Sequence, residues 1–414
     1  MAELQVRQAQ AVSAQATAFD TLRIPNFALL WAAQVISSFG DKISFFALAY
    51  VSWQITNSAL VTTLAFATAI LPHAIFGFFG GAVADAVGHR RAMVACDVVR
   101  AILIGAIPVL LAVGAPLPTI YVLVLLAALC AAVFNPARLA IVPDLVPPSQ
   151  LGASNSMVNA SDRTVEIGGS VLAGIVVAAL GAFAFYVDAA TFLISAGLLI
   201  RIARRELPPR SVSWPRLWRD AGDGLRFITS HAVLRANTIV SLIAQLSIPV
   251  LNALTPVLIF REFGLGPEQL GAAEAALALG AVSTGLLLPA VFSRWRKGDL
   301  VIIGFGAWGL ALVGIGLSPS FPLALVLFAV AGVTNVLFFV SNVTISQELT
   351  PSPMRARVFG ARMALLNLTW LPIVLGAGAV ADVVSAAVLI AGAGILTVIT
   401  AVVGAFFPAV RNVA

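Results

Sequence analysis

Twelve apolar runs, each about as long as a helix needs to cross a lipid bilayer, constrain this chain more than any other feature. They fall at approximately 27–50, 58–80, 92–113, 118–137, 151–180, 183–201, 236–260, 268–293, 300–317, 322–346, 357–380 and 385–408. A hydrocarbon core of about 30 Å requires roughly 20 apolar residues in a helix. Of the 414 residues, 60% are hydrophobic and only 10% charged, and mean hydropathy is +1.01. A water-soluble domain carries about a quarter charged residues, because its surface must stay wet. The pattern therefore predicts an all-α polytopic membrane protein and excludes a soluble enzyme or a secreted disulfide scaffold. The two cysteines, Cys96 and Cys130, both lie inside apolar runs, which leaves neither a disulfide framework nor a metal cluster.

Net charge is +6, and Lys42 and Lys297 are the only lysines among 24 basic residues. Such a balance can signal nucleic acid, but here the arginines sit in short loops between apolar runs and read as topology signals. Arg23, Arg90, Arg91, the Arg201–Arg235 cluster, Arg294, Arg296, Arg355 and Arg357 all fall in the first tail or after even-numbered runs. Both termini are accordingly expected in the cytoplasm. No secretory signal peptide is expected, and no nucleic-acid partner.

The longest polar stretch separates six runs from six. The expected organisation is a tail (1–26), a six-helix bundle (27–201), an amphipathic linker (202–235), a second six-helix bundle (236–408) and a short tail (409–414). In the linker, Trp214, Leu217, Trp218, Ala221, Leu225 and Ile228 recur at helical spacing, as a helix lying on a membrane surface would require. A solvated connector is the alternative. The two halves also resemble each other. At an offset of 204, Asp144 meets Glu348, Leu145 meets Leu349, Pro147 meets Pro351, Ala173 meets Ala377 and Gly174 meets Gly378. Duplicated bundles with a binding site at the repeat interface are a transporter architecture.

Directly after the second run stands GGAVADAVGHRRAM, with Gly81, Asp85, Gly88, Arg90 and Arg91. It resembles the loop motif of the major facilitator superfamily, in the position that family uses, and the resemblance extends to the whole chain. It implies two pseudo-symmetric six-helix bundles. It also implies that Asp85 clasps the start of the eleventh helix, where Arg355, Arg357 and Arg362 are available. SSFGDKIS, FNPARLAIVPDLVP and YVDAATFLIS resemble the macrolide- and siderophore-exporter branch. GSVLAG in the fifth run is similar to the antiporter motif through Gly169, Ala173 and Gly174, with Ser170 standing where that motif has proline.

Ionisable residues inside a bilayer are costly and mark functional sites by default. Asp41 and Lys42 in the first run, with Asp162, Arg163 and Glu166 in the fifth, are expected to form one intramembrane network. Either a carboxylate there carries the coupling proton, or the set consists of permanent salt bridges. Asp188 and Glu274 read as structural. Gln34, Ser38, Asn159, Gln245, Asn252, Asn335 and Asn342 are expected to line a cavity suited to a bulky amphiphile. GFGAWG (304–309) copies a dinucleotide fingerprint literally but lies inside an apolar run with no preceding strand.

The sequence thus points to a secondary exporter of a drug, siderophore or other secreted metabolite. It would be driven by the proton gradient without a cofactor or metal, in a bacterial-type inner membrane. An importer or lysophospholipid translocator of the same fold is the alternative, and a non-transporting scaffold a remote one. No catalytic constellation stands in the loops, so an enzyme is not expected. The expected assembly is a monomer serving a small molecule within the bilayer.

Overall fold

The computed structural model describes residues 18–203, 214–292, 295–351 and 354–406. Within the described residues each of the apolar runs is largely helical. We number the helices α1 (Pro25–Thr56), α2 (Ala59–Val87), α3 (His89–Ala112), α4 (Leu117–Leu145), α5 (Leu151–Leu180) and α6 (Ala184–Ile200). In the second half are α7 (Ala232–Glu262), α8 (Pro267–Phe292), α9 (Lys297–Gly316), α10 (Phe321–Glu348), α11 (Arg355–Ala381) and α12 (Ala386–Ala405). Eight helical stretches among the described residues are long and apolar enough to span a bilayer, one of them covering α5 and α6 together. The chain is a multi-pass membrane protein.

Long apolar runs become helices because a bilayer offers the backbone no other hydrogen-bond partner. Prolines inside helices, such as Pro72, Pro108, Pro136 and Pro372, are tolerated in this setting. Large aliphatics such as Ile102, Leu310 and Val326 stand exposed on the helices, which suits acyl chains and not water. Two runs are less regular than their hydropathy suggests. α5 is broken by a π turn at Val165–Gly169, where the Gly168–Gly169 pair weakens helical preference. α7 breaks at Gln245–Leu246 and ends in a second π turn, Leu258–Glu262.

Packing divides the chain into two units. One gathers the chain up to Ser44, Ile75–Val165, and the chain from Phe183 through α6. Phe27, Leu30, Met93, Phe134, Ile141 and Leu199 form its core. The other gathers Phe45–Ala74, Glu166–Ala182 and everything from the linker helix onward. The boundary between these units passes through α1, α2 and α5.

In the second unit, the ends of α1, α2 and α5 remote from Pro25 pack onto α7, α11 and α8. Tyr50 meets Phe260 edge-on at 5.6 Å. A Cβ placed on Gly174 would lie 2.6 Å from the Pro267 carbonyl oxygen, and one on Gly271 2.5 Å from that of Ser170. The backbones of α5 and α8 can approach this closely only because both positions lack side chains. Asp382, after the last residue of α11, accepts from the Ala59 N–H at 2.5 Å and from Ser58 Oγ at 3.0 Å. It therefore caps the start of α2, where the helix dipole favours a negative charge.

The linker contains a helix at Trp214–Ser230. The side chains of Trp214, Leu217, Trp218 and Ala221 lie outside the described residues. Leu225 is exposed, whereas Ile228 is buried against Leu234, Val358 and Ala361. Part of the expected stripe therefore packs against α7 and α11 and not against a membrane surface. Gly224 fits against the Arg357 backbone, and Arg357 Nη1 reaches Asp223 Oδ2 at 3.3 Å.

Candidate functional site

The densest group of buried ionisable side chains lies in the first unit, where α1, α3 and α6 meet. Asp97 and Arg100 stand one turn apart on α3 and are almost wholly buried. Arg100 Nη2 donates to Asp41 Oδ1 of α1, and Arg100 Nη1 lies 3.8 Å from Asp97 Oδ1. Its guanidinium carbon sits 3.9 Å above the Phe192 ring of α6, a cation–π arrangement. Ser195 donates to Asp97 Oδ2 at 2.6 Å. Asp188 is 1% exposed, accepts from Ser44 of α1, and accepts from Thr191 at 3.2 Å. Gly40 makes room for this contact, since a Cβ there would overlap Thr191 Oγ1 and Asp188 Oδ1.

One guanidinium thus faces two carboxyl groups, those of Asp41 and Asp97. Asp41 is the accessible member, with its side chain 48% exposed, while Asp97 and Asp188 are sealed. Arg100 Nε and Asp97 Oδ1 are buried without a hydrogen-bond partner among the described residues. Native structures rarely strand such groups.

Among the residues of the expected intramembrane network, Asp41 pairs with Arg100. Asp162 accepts from Gln34 Nε2 at 2.7 Å, with Arg138 Nη1 3.6 Å away. Lys42 is half-buried on α1, and Arg163 is exposed at the end of the first α5 segment. Glu166 lies in the π turn, where its carbonyl accepts from Ser170 at 2.7 Å. Asp188, read as structural, is sealed and accepts from Ser44 and Thr191.

The gate residues have partners of their own. Asp85 accepts from His89 one turn on, at 2.8 Å. Gly88 has φ 96°, a left-handed conformation that favours glycine, at the break between α2 and α3. Arg90 donates to the Ile202 carbonyl at 2.8 Å, just past the end of α6, and Arg91 is exposed. Gly81 is helical. Arg355 donates to the Thr350 carbonyl at 3.2 Å. Arg362 is buried and turns toward α10, donating to Ser346 and to Asn342 Oδ1, the latter at 2.5 Å.

The expected cavity residues divide similarly. Ser38, Asn252 and Asn335 are half-buried, and Asn159 donates to its own helix at Asn155 O. Gln34, Gln245 and Asn342 are buried. Asn342 bonds Asn237, Ser241 and Arg362. Among the antiporter-like residues, Gly169 closes the π turn, and Ala173 and Gly174 are buried in the second α5 segment.

The family model for the transmembrane secretion effectors of the major facilitator superfamily matches residues 16–413. The chain belongs to that family. It is 29% identical over 407 residues to the multidrug efflux pump Tap of Mycolicibacterium fortuitum, covering 95% of this chain and 98% of that one. To macrolide efflux protein A of Streptococcus pyogenes it is 25% identical, covering 83% and 86%. Solved transporters share the fold at lower identity. A peptide transporter of the POT family matches with a TM-score of 0.71 at 13% identity, over 93% of this chain and 95% of that one. The nucleoside transporter NupG matches with 0.70 at 13%, over 91% and 99%.

Proposed function

We propose that this protein is a proton-coupled exporter of amphiphilic small molecules, with the Asp41–Arg100–Asp97 cluster as its coupling site. The observation that carries the reading is one buried guanidinium shared by two carboxyl groups near the middle of α1 and α3. A buried ion costs several kcal/mol unless it is paired. The cluster balances its charge only when one of the two carboxyls holds a proton, so proton occupancy and pairing geometry are linked there. Asp41 is the entry point because it alone is accessible. It also lies one turn before the Ser44–Phe45 boundary, where α1 passes from one packing unit to the other. A proton on Asp41 releases it from Arg100 and loosens α1 at that boundary, which ties proton binding to alternating access.

The names of the relatives, a multidrug pump and a macrolide pump, support drug-like amphiphiles as cargo. The arginine distribution supports an inner (cytoplasmic) membrane location with both termini inside. The substrate is moved without chemical change, and a monomer with the proton gradient alone suffices.

The test uses everted membrane vesicles from an efflux-deficient host and labelled erythromycin. Wild-type vesicles should accumulate the label only while a pH gradient stands, and a protonophore should abolish this. Asp41→Asn should lose uphill accumulation while retaining exchange without a gradient. Wild-type uphill transport by Asp41→Asn would remove the cluster from coupling, and label movement into the cytoplasm would make the protein an importer.

A further inference from the structure

The second unit contains a buried arginine that pairs with no carboxylate among the described residues. Arg362 of α11 is 6% exposed. Its guanidinium donates to Ser346 Oγ and Asn342 Oδ1 of α10. Asn342 Nδ2 in turn donates to Asn237 Oδ1 at 3.1 Å and to Ser241 Oγ, both on α7. Asn237 Nδ2 stands 3.5 Å from Ser346 Oγ and closes the ring. Every one of these partners is neutral, and no acid pairs with Arg362 among the described residues.

The comparison with the first half sharpens the point. There Gln34 of α1, Arg138 of α4 and Asp162 of α5 form a group on the repeat-related helices, and the cation has its anion 3.6 Å away. At the offset of 204, Asn342 occupies the place of Arg138, and the cation of the second half comes from α11. The second group keeps a guanidinium and lacks the carboxylate. A charge in that position is costly, and amide and hydroxyl oxygens satisfy individual N–H groups without neutralising it. What completes the site is an oxyanion, for which a planar guanidinium is the best side chain. Half-buried Asn335, two turns before Asn342 on α10, gives the neighbouring surface amide character, while Phe338 between them is fully buried in the aromatic packing.

We propose that Arg362, held by Ser346 and Asn342, binds the acidic group of an amphiphilic organic anion. This deepens the exporter reading and rests on it for the role of the ligand as cargo. The probes are a matched pair sharing one ring system, 8-anilinonaphthalene-1-sulfonate and neutral N-phenyl-1-naphthylamine. Binding to the purified full-length protein is measured by calorimetry against a detergent blank. The wild type should bind the sulfonate at least about tenfold more tightly than the neutral probe. Arg362→Gln should bind both alike. Asn342→Asp supplies the missing carboxylate internally and should also erase the preference, in a protein at least as heat-stable as the wild type. It therefore decides the matter even if Arg362→Gln does not fold.

The proposal fails if the wild type shows no saturable sulfonate binding or no preference, or if Asn342→Asp retains the preference. It fails as well if inorganic sulfate displaces the ring-bearing anion at equal concentration, because the site then takes a free oxyanion. Because the assay reads binding without a gradient, loss of uphill transport would refute the exporter reading and leave this result standing.

Discussion

Replacing Arg100 by Gln should destabilise the protein far more than replacing its accessible partner, Asp41, by Asn. Arg100 is 4% exposed, and Asp97 and Asp188 are essentially sealed. Removing the guanidinium strands the buried Asp97 carboxyl without a cation. Breaking a buried pair in this way costs about 3–5 kcal/mol. If all 414 residues unfolded together at ~2.1 cal/mol/K each, that is an apparent Tm loss of about 3–6 °C. Asp41→Asn acts on a side chain with 48% exposure and leaves Asp97 3.8 Å from the cation, so about 1 kcal/mol is expected. The double variant Arg100→Gln with Asp97→Asn should recover part of the loss, because the two positions share one interaction. Tryptophan fluorescence during heating in detergent reads all of these, with seven tryptophans as reporters. An Arg100→Gln protein that melts within about 1 °C of the wild type would refute the argument. So would a double variant whose loss is the sum of the two single losses.

Gly174→Leu should force α5 and α8 apart, since even a Cβ there meets the Pro267 carbonyl oxygen at 2.6 Å. Overpacking costs about 1–3 kcal/mol, and cysteines placed near Gly271 should label faster; unchanged labelling would mean that the contact is dispensable. Asp382→Ala removes the cap on α2 and should cost about 1 kcal/mol while Thr63 becomes more reactive as a cysteine. If neither melting nor labelling changes, the cap does not hold α2.

Helix positions are legible in the sequence because a bilayer enforces them: within the described residues each of the apolar runs is largely helical, most with ends a few residues wider than the hydropathy suggests. The pairing of charges is not legible in the same way. Asp41 and Arg100 are separated by 59 positions, and nothing local to either announces the other. Asp97 and Arg100 were nevertheless readable as candidates, being ionisable residues one turn apart inside the run 92–113, the same signal that marks Asp162 and Glu166. The His89 partner of Asp85 also stands at helical spacing within the motif itself. The π turn in α5 has a weaker trace, the adjacent glycines after Glu166. The neutral surroundings of Arg362 have none, because they arise from three helices distant in the chain.

The weak internal repeat acquires a physical meaning from the two glycines it aligns. Gly174 lets α5 approach α8, and Gly378, its counterpart at the offset of 204, lets α11 approach α2 at Leu60 and Thr63. These are equivalent helix pairs in the two halves, and each needs a position without a side chain. Close backbone contact depends on geometry alone, so both copies of the repeat retain the same residue. The polar groups have no such constraint. A buried guanidinium can be balanced from within, as Asp162 balances Arg138, or left for a ligand to balance, as at Arg362. The charged groups at Arg138 and Arg362 thus differ between the halves, while the close contacts at Gly174 and Gly378 are alike.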